Sequence, residues 1–315
     1  MRHLHSSLIS AFALAIAAPA AAQSTGFYYN GYAALDYAHS SGGGGGFTAG
    51  LIDMSFGIAP NSSDSFGGVG FEAGVWAYGR EGSSSEAVGY AALTFALGGG
   101  VLHVGAPRSA VRGYNTTPFP TGARAALFEI GLYSGATPMS ASFSATYDRP
   151  ILGVLYERES GPLRYSASFG QMNNGVGINV LGLGVERDLG DARIFGTLEH
   201  LWASGGEITT AVVGGSTQLN SGSSSLGAIE VGGAVSYMNQ AGTTVTSATV
   251  FGTASMTDRL DVTAAATYIG LGGGQTIYGL NGSYDLWSGV RLNAGVGASS
   301  SGGNTIWTVG LSRDF

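Results

Sequence analysis

The sequence predicts an all-β fold, a transmembrane antiparallel β-barrel of about sixteen strands, on three observations. The first lies at the end of the chain. In residues 304–315, Trp307, Val309, Leu311 and Phe315 share one face of an extended strand of about ten residues, the length that crosses a bilayer at a tilt. The second is composition: 10% of the residues are charged, where a soluble domain carries about 25%, yet 44% are hydrophobic and 55 are glycine. So many apolar side chains with so few charges must face something other than water. The third is repetition, because the same alternation of apolar and polar residues recurs along the whole chain.

The chain opens with Met1 and Arg2, an apolar stretch from Leu8 to Ala18, and Ala20-Ala21-Ala22 before Gln23. This pattern fits a secretory signal with cleavage near Ala22, leaving 23–315 as the barrel. The apolar stretch is shorter than the roughly 20 residues of a spanning helix. No later stretch reaches 18 consecutive apolar residues, so any crossing is made by strands.

Strand-like segments bounded by Gly, Ser, Asn and Asp clusters run at 27–38, 47–59, 66–80, 86–97, 100–106, 150–158, 162–170, 176–188, 193–203, 207–219, 226–238, 244–256, 259–270, 275–286, 289–299 and 304–315. An even number suits a barrel whose two ends emerge on the same side. Alternation assigns the faces. In the third segment Val69, Phe71, Ala73, Val75 and Ala77 oppose Glu72, Trp76, Tyr78 and Arg80; the first set suits lipid and the second water. Leu260, Val262, Ala264 and Tyr268 likewise oppose Asp261, Thr263 and Thr267, and Val290, Leu292, Ala294 and Val296 oppose Arg291 and Asn293. Tyr28, Tyr37, Tyr237, Tyr268, Tyr284, Trp287 and Trp307 stand near strand ends, where interfacial girdles require aromatic rings. A soluble β-sandwich would alternate too, but would not need those girdles.

Residues 107–149 break the rhythm. They are too many for a hairpin turn, and long connections of this kind are usually functional. The segment carries Arg108, Arg112, Tyr114, Arg124, Glu129 and Asp148; 123–133 is expected to form a short helix and 140–147 a strand. Counting both as barrel strands would give eighteen. Its length and mixed charge suit a folded loop inside the lumen. The expected inward wall positions carry Asp36, Asp53, Glu72, Arg80, His103, Glu157, Arg164, Glu230, Asp261 and Arg291.

Several chemistries are disfavoured. There is no cysteine, hence no disulfide or thiolate site, and no lysine, hence no Walker motif. Without Arg2 the chain keeps 12 basic residues against 20 acids, a formal charge of −8, which offers nothing to nucleic acid. Gly68 to Ala73 matches a G-x-G-x-x-A pattern, but inside an alternating strand with no βαβ context it is a chance match. After the signal the histidines are His39, in a glycine-rich turn, His103, toward the lumen, and His200, near a strand end; none has the neighbours that nucleophilic or acid–base catalysis needs. The acids are scattered rather than clustered, so neither metal nor cofactor is expected.

Three stretches carry a resemblance: Tyr28 to Asp36 (YYNGYAALD), Val101 to Tyr114 (VLHVGAPRSAVRGY), and Trp307 to Phe315. On these the chain resembles the Gram-negative general porins, the alphaproteobacterial branch in particular. The resemblance implies an outer-membrane channel passing small hydrophilic solutes and ions. It also implies homotrimers, a third extracellular loop folded into the barrel, and a carboxyl end (Trp307, Leu311, Phe315) read by the barrel-assembly machinery. Arg313 departs from that terminal pattern, where an apolar or aromatic residue is usual. The charges named above predict a weak cation preference, opposed by the loop arginines. The alternative of a different class is a structural or adhesive barrel with a plugged lumen.

Overall fold

The computed structural model describes residues 26–42, 45–60, 67–83, 85–172, 177–219, 227–271, 273–287 and 289–315. The signal expected over 1–22 lies outside them. Sixteen strands follow one another in the chain: β1 Phe27–Ser40, β2 Gly46–Ile58, β3 Val69–Arg80, β4 Glu86–Leu97, β5 Gly100–Ala106, β6 Leu152–Ser160, β7 Leu163–Met172, β8 Ile178–Asp188, β9 Ala192–Ala203, β10 Gly206–Leu219, β11 Ile229–Gln240, β12 Thr243–Thr257, β13 Leu260–Ile269, β14 Gln275–Trp287, β15 Val290–Ser299 and β16 Thr305–Asp314. Each pairs antiparallel with its neighbours in sequence, and β1 pairs with β16 from Tyr32↔Asp314 to Ser40↔Ile306, closing the sheet. Closure leaves no free edge along the seam and satisfies backbone groups where water is absent. The eighteen-strand count is excluded by this ring.

Side chains follow the pleat. Trp307, Val309, Val75, Leu93, Phe169, Val213 and Val250 are exposed on the outer face, whereas Asp36, Glu72, Thr94, Thr267 and Ser236 are buried on the inner one. Tyr37, Tyr237, Tyr268, Tyr284, Trp287 and Trp307 are exposed near strand ends as the girdle reading requires. Tyr28 is the exception. It pairs with Gly57 on the inner side and lines a luminal cavity with Asn30 and His103. His39 also differs from expectation: it is a strand residue, paired with Trp307 and Gly46, because β1 extends two residues past its expected end.

Within 107–151 two helices form, α1 Phe128–Ser134 and α2 Met139–Thr146. Helix α1 ends on Gly135 in the left-handed conformation at φ 68°. Helix α2 replaces the strand expected at 140–147. Its Ser/Ala alternation (SASFSAT) imitates period two, but no ladder stands beside it, and a wall carboxylate holds its first turn in helical form. No helix among the described residues is long and apolar enough to cross a membrane.

Candidate functional site

β5 has seven residues, and its pairing with β4 stops at Ala91↔Ala106. The chain therefore leaves the wall at Pro107 and returns at β6. Between those points it meets the inner face of most of the barrel, and the wall acids are where it is held.

The first two arginines of the segment sit in carboxylate sockets. Arg108 donates through Nε to Glu72 (2.9 Å) and through a terminal nitrogen to Glu157 (2.5 Å). His103 lies between the same two acids, with Nδ1 2.9 Å from Glu72 and Nε2 3.3 Å from Glu157. Burial opposes the Arg108 charge, but Glu157 and Glu72 outweigh it and raise its pKa above the ordinary guanidinium value. Removing either partner of such a pair costs about 3–5 kcal/mol, because a charge is left buried without its complement. Arg112 donates to Asp53 Oδ2 and to the Asp53 carbonyl, both at 2.9 Å, and to the Tyr90 hydroxyl at 2.9 Å.

Further on, carboxylates accept from the loop backbone itself. Asp36, 1% exposed, accepts the N–H groups of Ala125 (2.7 Å) and Ala126 (3.3 Å) in the turn ahead of α1. Glu199, 2% exposed, accepts the Ser140 N–H (3.1 Å) and hydroxyl (2.5 Å) in the first turn of α2, and the Ser109 hydroxyl (2.9 Å). A carboxylate on the first turn satisfies orphan donors and complements the helix dipole. We expect Glu199→Ala to weaken docking of α2 by about 1–3 kcal/mol, since the two buried Ser140 donors and the half-buried Ser109 hydroxyl lose their acceptor. Limited proteolysis of the folded barrel checks this: cleavage should appear within 138–147 while the barrel fragment stays intact.

Apolar contacts complete the seating. Phe119, Leu127, Ile130 and Met139 of the loop cluster with Met172, Ile178, Val180, Leu201, Ile208, Met238, Val245, Ile269 and Ile277, all inner-face residues of β7 to β14. On the other side Ala125, Phe128 and Ala145 pack on Ala34, Leu51, Trp76 and Val88 of β1 to β4, and Phe128 stacks on Tyr78 at 3.9 Å. Tyr114, 1% exposed, packs on Phe195, Val212 and Ala234; its hydroxyl lies 2.8 Å from Ser166 Oγ, and the Arg164 guanidinium lies 4.1 Å over its ring. Glycine makes two of these approaches possible. A Cβ on Gly184 would overlap the Tyr114 ring, and one on Gly295 would overlap the Thr121 carbonyl.

Of the loop residues singled out from the sequence, Arg108, Arg112 and Tyr114 thus bind the wall. Arg124 does so through its faces, 5.0 Å from the Tyr32 ring, and donates within the loop to the Ala136 carbonyl (3.1 Å). Glu129 and Asp148 are exposed. Of the wall residues, Asp36, Asp53, Glu72, Glu157 and Arg164 meet the loop, and His103 lies between Glu72 and Glu157. Arg80 instead stacks on Phe47 at 3.7 Å. Asp261 accepts from Ser255 (2.7 Å), and Arg291 pairs with Asp285 (2.9 Å) and Asp314 (3.3 Å) near the rim that carries the chain end. Glu230 lines a cavity of about 120 Å³ with Arg193, Thr116 and Thr253. Sequence reading missed Glu199, Tyr90, Ser166 and Arg193, whose terminal nitrogen donates to the Tyr114 carbonyl (2.6 Å). Inward parity marks Glu199, between Leu198 and His200; nothing local marks its partner.

On the terminus side of the loop lies a polar cavity of about 490 Å³, lined by Asn30, Thr94, His103, Arg108, Glu157 and Arg164 among others. No group of three or more potential metal ligands occurs among the described residues.

The fold is that of the porin barrels. The chain is similar to solved structures of the porin of Rhodopseudomonas blastica: a triple-substituted form at 17% identity and TM-score 0.61, and a form with five substitutions at 16% and 0.62. Each match covers 92% of this chain and 100% of the other. No family model and no curated protein matches the sequence. At this identity the likeness establishes the sixteen-stranded architecture.

Proposed function

We propose that the protein is an outer-membrane porin, a passive diffusion channel for small hydrophilic solutes and ions, with 107–149 folded into the lumen as its constriction. The observation that carries this reading is the set of wall carboxylates on β1, β2, β3, β6 and β9 that hold one loop from several sides of the ring. The porin neighbours and the polar cavity beneath the loop support a channel rather than an enzyme. A second reading, a barrel sealed by its loop, has the two apolar clusters on opposite walls in its favour.

The arginines have two roles in this reading. Arg108 and Arg112 anchor the loop, and in doing so they neutralise Glu72, Glu157 and Asp53 at its level. Inward acids still outnumber inward arginines, so the channel is weakly cation-selective. Only charges within about 8 Å of the path count at physiological salt. Planar-bilayer recording in a salt gradient tests both points. The wild type should give ohmic steps with a small cation preference. Arg108→Gln with Arg112→Gln should increase that preference; an unchanged reversal potential would place the selective charges elsewhere.

Homotrimers and a location in the outer membrane belong to the same proposal. In support, the outer faces of β1 to β3 carry an apolar cluster of Ala33, Ile52 and Ala77 beside exposed Tyr37, Phe56 and Val75, an apolar surface a neighbouring barrel could cover. Export by a signal cleaved near Ala22 and assembly through Trp307, Leu311 and Phe315 complete it.

A further inference from the structure

Charge on the strands divides sharply between the two faces. Around the ring of registers, every acid on a described strand points inward except Glu207, which starts β10 opposite Trp202 at the rim away from the chain end. The outward arginines on strands all lie at the other rim. Arg158 of β6 is opposite Tyr165 of β7, and Arg187 of β8 is opposite Leu163, so one strand separates them and they are offset by two residues. The third, Arg313, lies over the Phe315 ring at 4.7 Å.

Resting on the reading that this barrel is embedded in a bilayer, we propose that Arg158 and Arg187 bind the headgroup phosphates of phospholipids in the leaflet at the terminus rim. A guanidinium on the lipid face is costly at mid-bilayer but tolerated at the interface, where it reaches phosphate. The surroundings place both at that depth. Val154, Leu183 and Val185 form the exposed apolar band just beyond them. Tyr156 and Tyr165, with ring centroids 6.3 Å apart, supply the amphipathic rings of a headgroup-level belt. No outward acid lies opposite either arginine on an adjacent strand, and a headgroup phosphate at this rim would supply the complementary charge. Arg158 spreads beside Gly99 in the β4–β5 turn, at the rim of the polar cavity that Glu157 and Glu159 also line, and Arg187 is exposed. Planar, bidentate recognition of phosphate is what guanidinium does best.

Native mass spectrometry of the full-length protein, purified from mixed micelles with equal phosphatidylglycerol and phosphatidylcholine of identical acyl chains, tests the proposal. The wild type should retain phosphatidylglycerol severalfold over phosphatidylcholine. Arg158→Gln with Arg187→Gln should bring the two to parity, while Arg158→Lys with Arg187→Lys keeps a preference and heat-modifiable migration shows that each variant has folded. Millimolar inorganic phosphate should not displace the lipid; displacement would reassign the pair to a soluble anion. An undiminished preference in the Gln variant would overturn the assignment. Retention of neither lipid would overturn it together with the membrane reading, whereas loss of channel activity alone would not.

Discussion

Excising residues 123–146 and bridging the ends with a short Gly/Ser linker raises single-channel conductance severalfold without unfolding the barrel. None of the sixteen ladders uses a residue of this segment, so the wall closes without it. What is lost is the turn held by Asp36, both helices, and the loop side of the two apolar clusters that draw the segment to opposite walls. Those contacts run to opposite walls, and in the proposed channel the excised mass would lie where pore area limits ion flow. Recording wild type and variant in the same salt shows the effect directly. Equal conductance in a folded variant would mean that the segment does not constrict the path.

Removing Phe315 should have the second large effect, on assembly rather than on conduction. Phe315 lies past the end of β16, yet its N–H donates to the Gly31 carbonyl (3.0 Å) and its ring meets Tyr29 edge-on at 6.0 Å. Both contacts cross the β1–β16 seam, the one pairing between strands far apart in sequence. An aromatic pair adds about 0.5–1.5 kcal/mol beyond the area it buries. Arg313 fits the same corner: it is buried and its guanidinium covers the Phe315 ring at 4.7 Å, so a basic residue is accommodated where an apolar one is expected. We expect heat-modifiable barrel to fall sharply in the truncated protein while export continues. Normal assembly would refute a role for the terminal ring at the seam.

The wall was legible because its signal is local. A period of two, punctuated by Gly, Ser, Asn and Asp, located all sixteen strands, and the same parity sets Asp36, Asp53, Glu72 and His103 on one face of the sheet. Boundaries moved where turns carry strand-like residues, as at β1, which runs through His39. The loop was less legible because its conformation depends on partners far away in sequence. The Ser/Ala alternation of 140–146 reads as strand until Glu199, 59 residues on, accepts from its first turn. Tyr28 was misplaced for a related reason: an aromatic near a strand end fits either a girdle or a luminal wall, and only pairing with Gly57 decides. Charge totals alone do not show pairing: Asp53, Glu72 and Glu157 are each matched by a loop arginine, so their number says less about selectivity than their pairing does.

Thiol access at Ala125 tests whether wall carboxylates hold 107–149 inside the barrel. The chain has no cysteine, so a single Ala125→Cys introduces the only thiol. Ala125 is fully buried against Ala34 and Trp76, with its N–H on Asp36. A bulky water-soluble maleimide should fail to label it in the folded barrel, label it after denaturation, and label it in the folded state once Asp36→Ala and Glu199→Ala release the loop. Rapid labelling of Ala125→Cys in the otherwise unaltered, folded barrel would mean that the carboxylates do not hold the loop against the wall.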